Sequence, residues 1–345
     1  MYNTREIIEK LTAVMSVTGS EESAKEELCS FFSEPFDEYI PHRSGSHIFV
    51  KRCNKENAPR LMIDTHFDEI GMAVTGIEED GFLRVCSMGG IDRRSLPASV
   101  VTVYGKEAIQ GVIVSKSPHL QAAGESKKAP KMDEILIDTG YTKEKLSQIV
   151  EIGTPVGFSE KCVPLGERRI VSRGLDNKAS CAAAYICARD IKKEDMCCDL
   201  YVVLSSREEV GGSFGAVSTA YTINPCIAVI TDVTFAASPG VGDWESGKLG
   251  GGPVISLSAV TDKRLTNDIR HICEENHISY GITVDATDTG TNATMISLTG
   301  DGIPTAVVSI PIRSMHTYSE TADISDIENT ARLFELCIKE EKLYE

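Results

Sequence analysis

Residues 61–69 read Leu-Met-Ile-Asp-Thr-His-Phe-Asp-Glu, a short and mostly apolar run that ends in a histidine and two carboxylates. Three other stretches share that shape. Residues 201–204 (Tyr-Val-Val-Leu) pass through two serines and Arg207 into Glu208 and Glu209. Residues 226–231 (Cys-Ile-Ala-Val-Ile-Thr) run into Asp232, and 305–310 (Thr-Ala-Val-Val-Ser-Ile) lead shortly to His316. Continuous β-branched runs of this kind predict strands buried on both faces of a largely parallel sheet. Helical stretches are expected between them, notably at 178–192 and 265–275. The fold class is α/β, a mostly parallel-core sheet flanked by helices. Open α/β sheets gather ligands at the carboxyl ends of their strands, so residues far apart in sequence are expected to converge.

Two further regions frame that core. The first 35 residues predict two helices, one over 4–15 and a second begun by Ser20 as a cap, with Glu21 and Glu22 favouring its N-terminal dipole. Residues 71–160 have another texture, in which short β-like runs alternate with Gly, Asp and Pro and no helix of normal length is expected. They predict a small all-β domain inserted into an α/β domain made of 1–70 and 161–345. Within the insert, 115–131 is polar, contains Pro118, Gly124 and Pro130, and is expected to be a mobile loop.

Composition narrows the partners. The chain has 345 residues, enough for two domains or one with an insertion, and a net charge of −16. Such a surface repels phosphate backbones and anionic lipids, so neither nucleic acid nor membrane is an expected partner. The 11 cysteines are an odd number without C-x-x-C spacing. With no apolar signal core near the start and no run of transmembrane length, they suggest a reducing, cytoplasmic setting.

The chemistry-bearing residues are weak signals one by one. In His66-x-Asp68 the carboxylate can accept the imidazole proton and fix the tautomer of a metal ligand, or it can be a surface pair at a strand end. Glu208 and Glu209 point in different directions on an extended chain, so one can bind a metal while the other stands over a water, or both can be solvated. Asp176 precedes a long helix and reads as a cap or as a ligand. Asp232 and His316 read as a strand-end turn and a loop histidine, or as ligands. Together, two histidines and three carboxylates at one sheet edge suit a pair of divalent ions such as zinc or cobalt. Two such ions about 3.5–4 Å apart can share a hydroxide and polarise a carbonyl. His42, His47, His271 and His277 lack such a constellation and are expected to be structural. His119 lies in the polar loop, on the surface or near substrate. Gly250–Gly252 lacks the Lys-Ser/Thr of a phosphate loop and reads as a backbone turn.

At these residues the chain resembles the glutamyl and deblocking aminopeptidases, also called tetrahedral aminopeptidases, which are co-catalytic dimetal metallopeptidases. The motifs that carry the resemblance are DTHFDEIG (64–71), RGLDNK (173–178), REEVGGSFGA (207–216), TDVT (231–234), LGGGP (249–253) and SIPIRSMH (309–316). The resemblance implies that Asp176 bridges two metals, that His66 and Asp232 hold one, and that Glu209 and His316 hold the other. It makes Glu208 the general base and gives Asp68 the task of orienting His66. It further implies a zinc-exopeptidase-like sheet, a barrel at 71–160 that pairs subunits, a dodecamer, peptide substrates and a cis peptide at Asp176–Asn177. Phe67, Lys178 and Asn292 depart from the family's usual Met, Arg and Asp, and Asn292 raises the question of an altered substrate pocket. Rival readings are a dimetal amidohydrolase of small N-acyl or dipeptide substrates and a non-catalytic scaffold of the same fold. A glycosidase is disfavoured, because these carboxylates look committed to metals rather than flanking a glycosidic bond.

Overall fold

A computed structural model describes residues 2–122, 124, 128–242 and 246–344. Among them, eleven strands form one mixed sheet: β1 (Glu38–Pro41), β2 (His47–Lys51), β3 (Arg60–His66), β10 (Val163–Leu165), β11 (Arg169–Ser172), β12 (Asp199–Ser205), β13 (Ile227–Phe235), β14 (Val254–Ser258), β15 (Gly281–Asp285), β16 (Thr305–Arg313) and β17 (Glu320–Asp323). Its centre, β12-β3-β13-β16, is parallel throughout. Antiparallel strands flank that centre on both sides, β2 beyond β12 and β17 beyond β16.

The central strands are buried along nearly their whole length, and the reason is visible in their alternation. Leu61 and Ile63 of β3, with Leu200, Val202 and Leu204 of β12, pack into one core. Met62, Tyr201 and Val203 pack into another on the opposite face. Successive side chains on a strand point to opposite sides, and helices cover both. α1 (Thr4–Ala13), α2 (Lys25–Phe31), α4 (Leu175–Asp190), α6 (Lys263–Glu275) and α8 (Ile324–Lys339) close the first face; α5 (Phe214–Ile223) and α7 (Ala293–Ser297) close the second. α4 is buried on all sides between the sheet, α1 and α8, which its run of Ala, Cys and Ser side chains permits.

β4 (Gly71–Ile77), β5 (Leu83–Met88), β6 (Val100–Tyr104), β7 (Ala108–Ile113), β8 (Leu136–Asp138) and β9 (Pro155–Phe158) close into a barrel in the order β4-β5-β8-β7-β6-β9. Met72, Val74, Leu83, Val101, Val103 and Val156 fill it. The insert is not wholly β. A seven-residue helix, α3 (Lys143–Ile149), is capped by the Thr142 hydroxyl and buries Leu146 and Ile149 against the barrel core. Of the loop expected to be mobile, 123 and 125–127 lie outside the described residues.

The N-terminal region differs from its expected capping. Asn3 and Glu6 form a reciprocal capping box on α1. Ser20 makes no side-chain cap, because residues 21–24 first form a single 3-10 turn that leads into α2. No helix among the described residues is long and apolar enough to cross a membrane.

Candidate metal centre

Strand register builds the site. Ser205 pairs with His66 across β12 and β3, and Asp232 pairs with Ser309 across β13 and β16. Ile230 pairs with Asp64, so two further residues on each strand bring Asp232 beside His66. Asp176 enters from the start of α4, where the Asp176–Asn177 peptide is cis. Gly174 opens that helix with a left-handed φ of 60°, and a Cβ there would lie 2.4 Å from a Glu69 carboxylate oxygen, so a side chain has no room. Glu208 and Glu209 follow β12, and His316 lies in the loop between β16 and β17 with a φ of 61°.

The two oxygens of Asp176 face two different histidines. Oδ1 lies 3.0 Å from His66 Nε2, which is also 3.4 Å from Asp232 Oδ1. Oδ2 lies 3.3 Å from His316 Nε2, which is 3.4 Å from Glu209 Oε2. All six of His66, Asp176, Glu208, Glu209, Asp232 and His316 line one cleft of about 590 Å³. Among the described residues, His66, Asp176 and Glu209 bring their donor atoms within 4.8 Å of one another.

This donor set fits divalent cations. Ligand atoms about 2.0–2.2 Å from a tetrahedral ion stand roughly 3.3–3.6 Å apart, close to the spacings across Asp176. Oε1 of Glu209 is buried with no hydrogen-bond partner, an acceptor left for something the protein does not supply. Burial pushes the Glu208 carboxyl up to about 8; His66 opposes this, while Asp232, Asp176 and Asp68 add to it. Burial, with Asp176 beside it, holds Glu209 well above the carboxylate range, and burial raises Asp232 against the pull of His66. His66 is the counterpart: burial disfavours its charge, and Asp232, Asp176 and Asp68 overcome that and hold it well above its ordinary value. Crowded carboxylates that drive one another toward protonation are stabilised by added positive charge.

Asp68 does more than face a histidine. His66 Nδ1 is 3.0 Å from the main-chain carbonyl of Asp68 and 3.6 Å from its carboxylate. The carboxylate also accepts the N–H groups of Glu208 and Glu209, each at 3.1 Å. It thus fixes the dipeptide that carries both glutamates. His316 is oriented from the barrel side: Nδ1 donates to the Gly90 carbonyl at 2.9 Å, and Asp92 N–H donates to the His316 carbonyl at 3.1 Å.

The three departures from the family pattern lie outside the cleft. Phe67 and Lys178 are fully buried. Asn292 sits below the floor, with its Nδ2 2.8 Å from Asp64 and 3.1 Å from Ser205, while its neighbours Gly290 and Thr291 line the cleft. An altered pocket at Asn292 is therefore not a direct contact. His119 is exposed and is not among the described residues that line the cleft. His47 is buried between Tyr39 and the Glu21 carbonyl, His42 contacts Ser44 and Thr222, and His271 faces Glu274 on the surface. Gly250 and Gly252 form a backbone turn whose N–H groups bind Asp326.

Sequence reasoning missed Glu320 and the pair Glu69–Arg173. Glu320 is buried beside Asp176 and His316. Arg173 pairs with Glu69 and donates to the Thr12 carbonyl at 2.6 Å, tying α1 to the segment that leads into α4. Arg173 lies in a quoted motif, but a pairing 104 residues away has no local signature.

The chain resembles known proteins along nearly its whole length. The family model for M42 glutamyl aminopeptidase matches residues 45–333. A putative aminopeptidase of Acetivibrio thermocellus is 30% identical over 332 residues, covering 95% of this chain and 96% of the relative. An aminopeptidase structure from the archaeon Desulfurococcus kamchatkensis superposes with a TM-score of 0.89 at 29% identity, over 97% of this chain and 94% of that one. The TET1 peptidase of Pyrococcus horikoshii, which can assemble into a tetrahedron or a large octahedral shell, does so with a TM-score of 0.85 at 29% identity, over 98% and 100%. By the span of that match and the likeness of these relatives, the chain belongs to the M42 glutamyl aminopeptidase family.

Proposed function

We propose that this chain is an aminopeptidase that uses two divalent ions, zinc or cobalt, to remove N-terminal residues from short peptides. The observation that carries the reading is Asp176, whose two oxygens face two separate groups of donors. Asp176 would bridge the ions, with His66 and Asp232 on one and Glu209 and His316 on the other. Bound there, the ions would supply Lewis acidity at the scissile carbonyl and ease ionisation of a water.

The chain's own residues do the rest. Glu208 lines the cleft without being one of the five ligands, and takes the proton from the attacking water at its carboxylate. It then hands that proton to the leaving amine. Asp68 keeps the Glu208 and Glu209 main chain in place, so base and ligand do not exchange tasks.

The division into a catalytic domain (1–70 and 161–345) and an inserted barrel (71–160) that pairs subunits belongs to the same proposal. Val100 and Val112 oppose each other across β6 and β7 and are 42% and 45% exposed, which gives the barrel an apolar surface suited to pairing. Likeness to TET1, described as a dodecamer and as able to form a tetrahedron or a large octahedral shell, supports closure of such dimers into a hollow shell, here the tetrahedral dodecamer.

The test is a screen of aminoacyl-p-nitroanilides with metal content measured on the same preparation. EDTA should abolish hydrolysis, and zinc or cobalt should restore it at two ions per subunit. Activity that survives complete metal removal would sink the proposal, and full metal content without hydrolysis of any such substrate would favour a scaffold.

A further inference from the structure

Asp176 and His316 face each other across the centre of the site but come from unconnected parts of the chain. One begins a helix, and the other sits in a loop in the left-handed region. A single side chain touches the main chain of both. Glu320 opens β17, where the ladder with β11 pairs it with Ser172. Its Oε2 accepts the Asp176 N–H and its Oε1 accepts the His316 N–H, each at 2.9 Å.

Glu320 is 1% exposed, and no lysine, arginine or histidine among the described residues forms an ion pair with it. A buried carboxylate without a cation is costly unless hydrogen bonds satisfy it. Filling space at the start of β17 needs no buried polar group, since an apolar residue would pack there without that cost. A two-point grip on the main chain does need two acceptor oxygens a fixed distance apart. With both amides held, the 3.3 Å spacing between Asp176 Oδ2 and His316 Nε2 no longer depends on the loop alone.

We propose that Glu320 is a positioning residue that sets the register between the two halves of the metal centre by holding Asp176 and His316 through their main-chain N–H groups. It rests on the two-ion reading above. It touches neither substrate nor reacting atoms and acts only through those two residues.

The full-length protein is stripped of metal and titrated with zinc by calorimetry and with cobalt by visible absorption, as wild type, Glu320→Gln and Glu320→Asp. Gln keeps the size but turns an NH₂ toward one of the two N–H groups. Asp keeps the carboxyl group but is too short to reach both. The expected result is a first ion at wild-type affinity and a second held about 10–100-fold more weakly in Glu320→Gln, with Glu320→Asp between the two. Raising the metal concentration should restore kcat with KM unchanged. Wild-type affinity for both ions in folded Glu320→Gln overturns the proposal. Equal weakening of both ions overturns it as well, because register between halves would then not be what is lost. Unfolding of both variants, read by circular dichroism, makes Glu320 merely structural and also overturns it. Fewer than two ions in the wild type would break the two-ion reading instead, and Glu320 would then be judged by whether the remaining affinity falls by the same factor.

Discussion

The Lys178 ammonium lies 4.0 Å from the centroid of the Phe67 ring, with both residues fully buried. The same ammonium donates to the Ser16 hydroxyl at 2.5 Å and to the Phe67 carbonyl. Phe67 and Lys178 are two of the three positions named above as departing from the resembled motifs, and they contact one another. A cation on an aromatic face is worth about 0.5–1 kcal/mol when exposed and about 2 kcal/mol or more when desolvated, as here. Phe67→Leu, Lys178→Met and the double variant, compared by urea unfolding, should therefore show a coupling of that size. Additive losses would mean that the two departures are independent.

Glu208 and Glu209 are adjacent but should fail differently. Glu209→Ala should lower metal content and turnover together. Glu208→Gln should keep metal content and substrate binding while kcat falls by about 10²–10⁴-fold. Elemental analysis and kcat on the same preparations decide it; near-normal kcat in a fully metallated Glu208→Gln enzyme removes Glu208 as the base.

Gly90 links the barrel to the site. A Cβ at that position would lie 3.2 Å from His316 Nδ1, against the ring whose proton the Gly90 carbonyl accepts. Gly90→Ala should tilt the imidazole and weaken the ion on the His316 side by about 10–100-fold, as expected for loss of an outer-sphere partner. Cobalt titration measures this directly, and an unchanged second affinity would show that the barrel edge has no hold on the ligand.

Asp326 should make stability depend on pH. Burial pushes its carboxyl up to about 6, with the Gly250 and Gly252 N–H groups pulling the other way. A carboxyl raised in the folded state binds its proton more tightly there. Its contribution is thus fully present below the unfolded value of about 4 and is lost as pH rises through about 6. The difference in unfolding free energy between wild type and Asp326→Asn should shift against the wild type between pH 4 and 7. A flat difference would show that this carboxyl does not titrate in that window.

The parallel core was legible because its strands are buried on both faces, so each appears as an unbroken apolar run stopped by a charged residue. That also made His66, Glu208, Glu209 and Asp232 visible as candidates, since each sits at or just beyond such a stop. Glu320 and Gly90 were not legible, because one accepts main-chain N–H groups and the other offers a main-chain carbonyl, and neither task marks the residue types around it. The role of Asp68 was half visible: its spacing from His66 can be read in sequence, whereas its grip on the main chain of 208 and 209 depends on how β3 and β12 lie side by side. Ser20 misled because a good capping residue need not be used as one when the chain after it turns too tightly.

Asp68 and Glu320 grip amides rather than the side chains at 176, 208, 209 and 316. Their hold therefore does not depend on which residues stand at those four places. The frame is a chassis whose fittings can be exchanged: thiols or amides could replace carboxylates there without moving the backbone that aims them. A chelator of different taste, selective for a softer or harder ion, could be written into this sheet edge one position at a time.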